Sequence, residues 1–567
     1  MRRPNFAFFS MEYGIDDSLP IFAGGLGILA GDMMKSSADL GLEGAFVGLI
    51  YRLGYFRQEL RDGWQMEHYD NYDPSQHMTK LPHVVEVHIE DRTVNVGGWR
   101  YLLKGRNGNI FPGYLLDTDV EGNSEADKRI TGYLYGSDEE YRLKQELVLG
   151  IGGVKMLQAL GEHPDVYHIN EGHGAFVMAE MLNEGLSLEE IKQRVVFTTH
   201  TPVAAGHDHF CRETVDRVVN GYFPQRIKNV IQALSGGQEL NMTLLAMNTS
   251  GFRNAVSKLH LAVTRNMFSR NDIEAITNGV HAYTWTSAPF QHLYDRLVPE
   301  WRADPAALAK VAEVPRNQIL AAHRRAKLIM LNYVSTKGQT LHPNILTIGF
   351  ARRYATYKRG SLLFHDIERL LEIGNGKLQL VFAGKAHPQD EPGKRIIHSI
   401  HEAAEKLKGK IPVIFLDNYS MHTGKLITAG CDVWLNAPLV GYEASGTSGM
   451  KAALNGVLHC STDDGWWAEA NHEAGWTFGD GLNNDDADAN SLYRVLSEHI
   501  LPEFNDPDQW VRRMRIAIGQ NGVVFNTERS MKEYAKVYED LRTLQSTPTI
   551  PPGSLTVPAM RVNEMAA

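Results

Sequence analysis

Cysteine is scarce: Cys211, Cys431 and Cys460 are the only three in 567 residues. An odd, sparse count without repeated spacing excludes a disulfide framework and points to a reducing compartment. No apolar run is long enough to span a bilayer. The opening Met1-Arg2-Arg3-Pro4-Asn5-Phe6-Ala7-Phe8-Phe9 starts like an export signal, but Glu12, Asp16 and Asp17 follow before an apolar stretch develops. The chain is therefore expected to be cytoplasmic and to have no membrane partner. Basic excess is also missing. A net charge of −10 excludes the broad cationic surface that nucleic-acid binding selects for, so no nucleic-acid partner is expected. There is no repeat of short period, and Pro548, Pro551, Pro552 and Pro558 with few large apolar groups predict a flexible tail over 546–567.

Against these absences stand 43% hydrophobic residues and 52 glycines, enough for two packed α/β domains with many tight turns. A short apolar strand at Phe6–Phe9 leads to Gly24-Gly25-Leu26-Gly27 and a helix reaching Leu40, the opening of a Rossmann-like unit. Further buried strands are expected at Val166–Ile169, Val195–Thr199 and Glu274–Thr277. After a helical stretch from Ala306 to Val334, a second series follows at Ile345–Gly349, Leu378–Ala383, Val413–Leu416 and Val433–Leu435. The chain reads as an α/β protein of two Rossmann-like domains, 1–284 and 285–545, facing an interdomain cleft. Loops at the carboxyl ends of the strands would line that cleft. Asp508–Leu544 reads as helical and able to pack back across the halves.

Two stretches carry chemistry. Gly441-Tyr442-Glu443-Ala444-Ser445-Gly446-Thr447-Ser448-Gly449-Met450-Lys451 is a small-residue loop running into a helix, with Lys451 in its first turn. A lysine among small apolar residues is costly unless paired or covalently engaged, and an aldehyde cofactor would engage it. Taken alone, the pattern is more often an ordinary helix cap. Ala351-Arg352-Arg353-Tyr354-Ala355-Thr356-Tyr357-Lys358-Arg359 places four cations in eight positions after a strand. It suits two phosphate groups side by side, though taken alone such a stretch is more often a solvated basic turn.

Together these stretches resemble the glycogen and maltodextrin phosphorylases. The first is similar to that family's pyridoxal-phosphate site, Glu-Ala-Ser-Gly-Thr, three residues, then Lys; the second is similar to its phosphate-binding turn. Gly24-Gly25-Leu26-Gly27, Asn170 with His173, Thr199-His200-Thr201, Asn278-Gly279-Val280 and Leu416-Asp417-Asn418-Tyr419 match in the same order. The resemblance runs from Asn5 to Leu544 and is to the short bacterial and archaeal branch, which lacks the N-terminal extension carrying allosteric control.

The resemblance implies a fold of the GT-B glycosyltransferase type and a cofactor, pyridoxal 5′-phosphate. Lys451 would hold it as a Schiff base, with Arg352, Gly446, Thr447, Ser448 and Tyr419 around it. Arg353, Lys358 and the Gly25 amide would bind the substrate phosphate. Gly24, Leu26, His173, His200, Asn278, Glu443, Ser445 and Gly446 would meet the sugar, with Lys451, Arg353, Lys358 and His200 as the catalytic set. The implied reaction is retaining phosphorolysis of a glycogen, starch or maltodextrin chain to glucose 1-phosphate, in a family that is often homodimeric. No metal is implied. The positions Ala355, Gly449 and Ala23 depart from the His, Asn and Asn of better-known members.

Two other functions remain as alternatives. A nucleotide-sugar glucosyltransferase of the glycogen-synthase type shares the fold, but it carries a lysine where this chain has Phe22. A catalytically silent glucan-binding homologue is disfavoured by the joint presence of Lys451, Arg352, Arg353 and Lys358. His207-Asp208-His209 reads as loop rather than metal site, and Asp463-Asp464-Gly465-Trp466-Trp467 as aromatic packing at the cleft edge.

Overall fold

The computed structural model describes residues 4–136 and 138–546. Two sheets organise them. In the first, ten-stranded sheet, Phe6–Phe9 lies between Gly44–Leu49 and Val166–Asn170, all parallel. Val195–Thr198, Phe252–Ala255 and Glu274–Ala275 continue it in parallel on one side. On the other side Ile110–Asp117 is parallel, and the long strand Arg92–Lys104 turns back antiparallel. The second sheet has six parallel strands in the order Val413–Leu416, Leu378–Ala383, Leu346–Ala351, Val433–Asn436, Leu458–Ser461 and Gly475–Thr477. Phe6–Phe9, buried on both faces, is a continuous apolar run, and Leu378–Ala383 is interrupted only by the buried Gln379, as parallel sheets covered by helices lead one to expect.

Four helices position the site: α1 (Gly25–Leu40), α2 (Met421–Gly430), α3 (Ser448–Ala453) and α4 (Thr527–Ser546). One core is built around the first sheet and another around the second. The closing helix α4 lies far along the chain from the first sheet, yet its Met531, Tyr534 and Tyr538 are buried in the first core. There the Tyr534 hydroxyl accepts from Asn254 Nδ2 at 2.8 Å. That bond anchors the chain's end beside the strand Phe252–Ala255.

The hairpin Arg57–Arg61/Trp64–His68 reaches across to the second sheet. Gln58 and Asn418 exchange backbone-to-amide hydrogen bonds of 3.1 and 2.9 Å. Trp64 stacks on His398 at 4.2 Å. Asp17 accepts from the first two amides of α2, Met421 N at 2.7 Å and His422 N at 2.8 Å, a carboxylate placed where a helix start favours it. Ser257 Oγ donates to the Ala444 carbonyl at 2.6 Å at another part of the junction.

The expected strands form within two residues at each end; Glu274–Ala275 ends two residues early and Leu346–Ala351 two residues late. Gly44–Leu49, Phe252–Ala255, Leu458–Ser461 and the antiparallel strands between 57 and 117 were not anticipated. The Ala306–Val334 stretch divides into a 3-10 segment at Pro305–Glu313 and a helix at Arg316–Thr336. Apart from Ser546, which ends α4, the tail expected over 546–567 lies outside the described residues. Among the described residues no helix is long and apolar enough to cross a membrane.

Candidate active site

A cavity of about 1200 Å³ opens where the carboxyl-end loops of the two sheets meet. Gly24, Gly25, Leu26, His173, His200 and Asn278 reach it from the first sheet's side. Arg352, Arg353, Lys358, Tyr419, Glu443, Ser445, Gly446, Thr447, Ser448 and Lys451 reach it from the second. Every residue assigned a catalytic, cofactor or substrate role from the sequence therefore lines one space.

Lys451, in the first turn of α3, is 5% exposed. Its ammonium lies 3.6 Å from the centre of the Trp285 ring, and it has no hydrogen-bond or ion-pair partner among the described residues. Burial lowers its pKa to about 8, so an appreciable fraction is the neutral, nucleophilic amine near neutral pH. The loop before it is made tight by Gly446, at φ +74. A side chain there would press on Glu443 at 3.0 Å. No side chain caps the start of α3 at Thr447, and the buried Ser445 hydroxyl has no partner. A free amine, an unpaired hydroxyl and an uncapped helix start fit an aldehyde cofactor bearing a phosphate.

The basic turn divides into two roles. Arg352 is buried and bonded to Asn436 and Glu443. Burial alone would raise the Glu443 pKa, but Arg352 and Lys358 outweigh it and hold the carboxyl at about 2. Glu443 is thus a fixed anion, with its second oxygen unpartnered. Lys358 Nζ stands 3.5 Å from Glu443 Oε1. Arg353 is exposed to the cavity and has no hydrogen-bond or ion-pair partner among the described residues. Its guanidinium is free for a bidentate anion.

The opposite wall is the glycine loop. Glu12 Oε2 accepts from Ala23 N at 2.6 Å and Gly24 N at 3.2 Å, pinning the loop. A Cβ placed on Gly24 or Gly25 would meet nothing within 4 Å, so the backbone here faces open cavity that a ligand can approach closely. Nearby, burial lowers the His200 pKa to about 4. Its ring bonds Asn170 Oδ1 at 2.7 Å, and its amide donates to Glu171 Oε2 at 2.7 Å. This neutral imidazole is fixed in orientation. Burial likewise raises the Tyr419 hydroxyl to about 12, keeping it a neutral phenol.

The sequence pattern of the carbohydrate phosphorylase family matches residues 16–146 and 175–490. The chain belongs to the carbohydrate phosphorylase family. It is 39% identical to the maltodextrin phosphorylase of Thermococcus litoralis, over 93% of this chain and 69% of that protein. It is 36% identical to the glycogen phosphorylase of Mycobacterium tuberculosis, over 94% of this chain and 70% of that one. For the glycogen phosphorylase of Aquifex aeolicus the identity is 34%, over 93% and 85%.

In this phosphorylase-family chain several residues of the site escaped the reading from sequence. Glu12 was noted only as a charge that spoils an export signal, yet it holds the glycine loop. Its other oxygen accepts from the Tyr135 hydroxyl at 2.7 Å. Arg142 stacks on Tyr135 at 4.5 Å and bonds His173 at 2.9 Å and Asp208 at 3.1 Å. Glu146, His173 and Asp208 come together closely enough to hold a cation. Arg142 already bonds all three, which makes the group an ion-paired wall of the cavity. Trp466 and Trp467 are fully buried and pack with His459 rather than standing as a platform for sugar.

That packing gives a reason for Gly449, one of the departures from the better-known members. A Cβ at Gly449 would lie 2.6 Å from His459 Cε1 and 2.7 Å from Trp466 Cζ2. The two rings occupy the space a larger residue would need. Gly449→Ala should therefore destabilise the protein by about 1–3 kcal/mol and disturb the Lys451 turn, read as a lower thermal midpoint and weaker cofactor retention. An unchanged midpoint would mean that the rings yield at no cost.

Proposed function

We propose that the chain is an α-1,4-glucan phosphorylase. It would transfer the non-reducing-end glucosyl unit of a glycogen, starch or maltodextrin chain to inorganic phosphate, with retention, giving glucose 1-phosphate. We read its two sheets as the Rossmann-like halves of a GT-B fold, 1–284 and 285–545, and its setting as the cytoplasm. One observation carries this reading: a buried amine, Lys451, and a guanidinium, Arg353, neither with a hydrogen-bond or ion-pair partner among the described residues, open on the same cavity beside the exposed glycine backbone of Gly24 and Gly25.

Each residue then has a physical task. Lys451 is the attachment point for pyridoxal 5′-phosphate, with Ser445, Gly446, Thr447, Ser448 and Tyr419 around it. Bound there, the cofactor supplies a phosphate whose second pKa near neutrality lets it exchange a proton with a neighbour. Arg352 sits behind this position, its charge already balanced by Glu443. Arg353, Lys358 and the Gly25 amide would draw the substrate phosphate in and orient it under the sugar. That phosphate would protonate the departing glycosidic oxygen and then attack the same face. The cations reduce the repulsion between two phosphates held close together. His200, neutral and fixed, and Asn278 and Glu443 would hold the sugar as positive charge develops at its anomeric carbon. No pair of carboxylates acting as acid and nucleophile is required.

The test is to release and count pyridoxal phosphate from the purified chain. Close to one per chain is expected. None, even after reconstitution, would remove the cofactor from the account and leave sugar-nucleotide transfer to be examined.

A further inference from the structure

Trp285, the ring under the Lys451 ammonium, is held at both ends. Its indole N–H donates to Asp32 Oδ2 at 2.6 Å. Its carbonyl accepts from Asn455 Nδ2 at 2.8 Å, and the same amide group donates to the Lys451 carbonyl at 2.9 Å. The ring is therefore clamped between α1, which carries Asp32, and α3, which carries Lys451.

Asp32 is an unusual choice for the α1 end of this clamp. It is completely buried, and its Oδ2 also accepts from the His281 amide at 3.2 Å, while its Oδ1 has no hydrogen-bond partner among the described residues. A carbonyl or amide oxygen would satisfy an indole N–H at lower desolvation cost. A buried carboxylate with a vacant oxygen is explained by its charged surroundings. The charged groups acting on Lys451 are Asp32 and Lys35 of α1 and Lys425 of α2. The Lys425 ammonium also faces the Trp285 ring, at 5.8 Å. Lys35, Lys425 and Lys451 have no ion pair within 4 Å among the described residues. Asp32 is the carboxylate that acts on Lys451, while Asp16 and Asp17 also act on Lys35, and Asp16 on Lys425.

We propose that Asp32 is a positioning residue for Lys451: it fixes the Trp285 ring on which the amine rests and supplies the counter-charge of that buried lysine. This rests on the cofactor reading above, because its consequence is the loading of Lys451. Loading requires the ammonium to lose its extra proton to solvent. The nitrogen then joins the aldehyde carbon of pyridoxal phosphate, and the aldehyde oxygen leaves as water with the two remaining amine hydrogens. Asp32 favours the protonated lysine, whereas burial, Lys35 and Lys425 favour the neutral one. Removing the Asp32 charge therefore moves the onset of loading to lower pH, and removing the Lys35 charge moves it to higher pH.

The experiment measures the rate of covalent pyridoxal phosphate uptake by the full-length chain, freed of cofactor, across pH 6–10 (roughly the span around a lysine shifted by burial). Parent, Asp32→Asn, Lys35→Gln and Trp285→Phe are compared. Asp32→Asn keeps the shape and should lower the midpoint of the rate profile by about one pH unit, while Lys35→Gln should raise it. Trp285→Phe keeps a ring but loses the anchoring N–H, and should slow uptake several-fold even at the plateau. Any titration of the free cofactor is common to all four proteins and cancels in the comparison. If Asp32→Asn folds poorly, Lys35→Gln is compared with Lys35→Gln/Asp32→Asn, where the same downward shift is expected. A midpoint unmoved by loss of the Asp32 charge would overturn the proposal and leave the cofactor reading standing. A parent chain that takes up no pyridoxal phosphate would overturn both.

Discussion

Lys451→Ala should give a folded protein that retains no pyridoxal phosphate and phosphorolyses glucan at least about 10³-fold more slowly. The size of the effect follows from what the side chain does and does not touch. Its ammonium has no hydrogen bond or ion pair among the described residues, only the Trp285 ring at 3.6 Å. Truncation therefore breaks no polar network and relieves a buried charge, so stability should change little while the attachment point vanishes. Lys451→Arg, which cannot form the same covalent link, should be as inactive as the alanine variant. The checks are the cofactor content, the thermal midpoint and the rate of glucose 1-phosphate release. Retained cofactor with full activity in the alanine variant would remove Lys451 from its assigned role.

The second large effect is expected at Arg353. Arg353→Ala should lower kcat/KM for phosphate by about 10²–10³-fold with little loss of stability, because the guanidinium is exposed to the cavity and makes no hydrogen bond or ion pair among the described residues. Arg353→Lys should recover part of this, since an ammonium keeps the charge but not the two-pronged geometry. Its neighbour Arg352 should behave in the opposite way. It is buried against Glu443 and Asn436, and removing one partner of a buried pair costs about 3–5 kcal/mol, so Arg352→Ala should be harmed first in folding. Steady-state kinetics in phosphate alongside thermal melting separates the two. If Arg353→Ala melted early but bound phosphate normally, the division of labour between the two arginines would be reversed.

How much of this was legible in the sequence depended on how local the signal was. Phe6–Phe9 is a continuous apolar run and Leu378–Ala383 is apolar but for Gln379, and the strands form at those residues. Gly44–Leu49 is interrupted by glycine at both Gly44 and Gly48, and it escaped notice although it lies beside the first strand. The antiparallel strands between 57 and 117 are mixed in polarity because much of their surface faces water. Nothing in the motif of Lys451 indicates the ring beneath it or the carboxylate that holds the ring. Asp32, Trp285 and Lys451 are separated by hundreds of residues and meet only when α1 packs against the second half. The same is true of Glu12 and Gly24, which are close in sequence but related only through a loop whose path the residues themselves do not reveal. The motifs identified residues that line the cavity; the polar groups that hold those residues in place emerged only from the packing.

The central claim is tested most directly by phosphorus NMR of the purified chain, carrying its cofactor, with maltodextrin and inorganic phosphate. The account predicts a steady rise of the α anomer of glucose 1-phosphate that needs both substrates and is absent when Lys451 is replaced. A cofactor-loaded chain that forms no glucose 1-phosphate, or forms the β anomer, would contradict it.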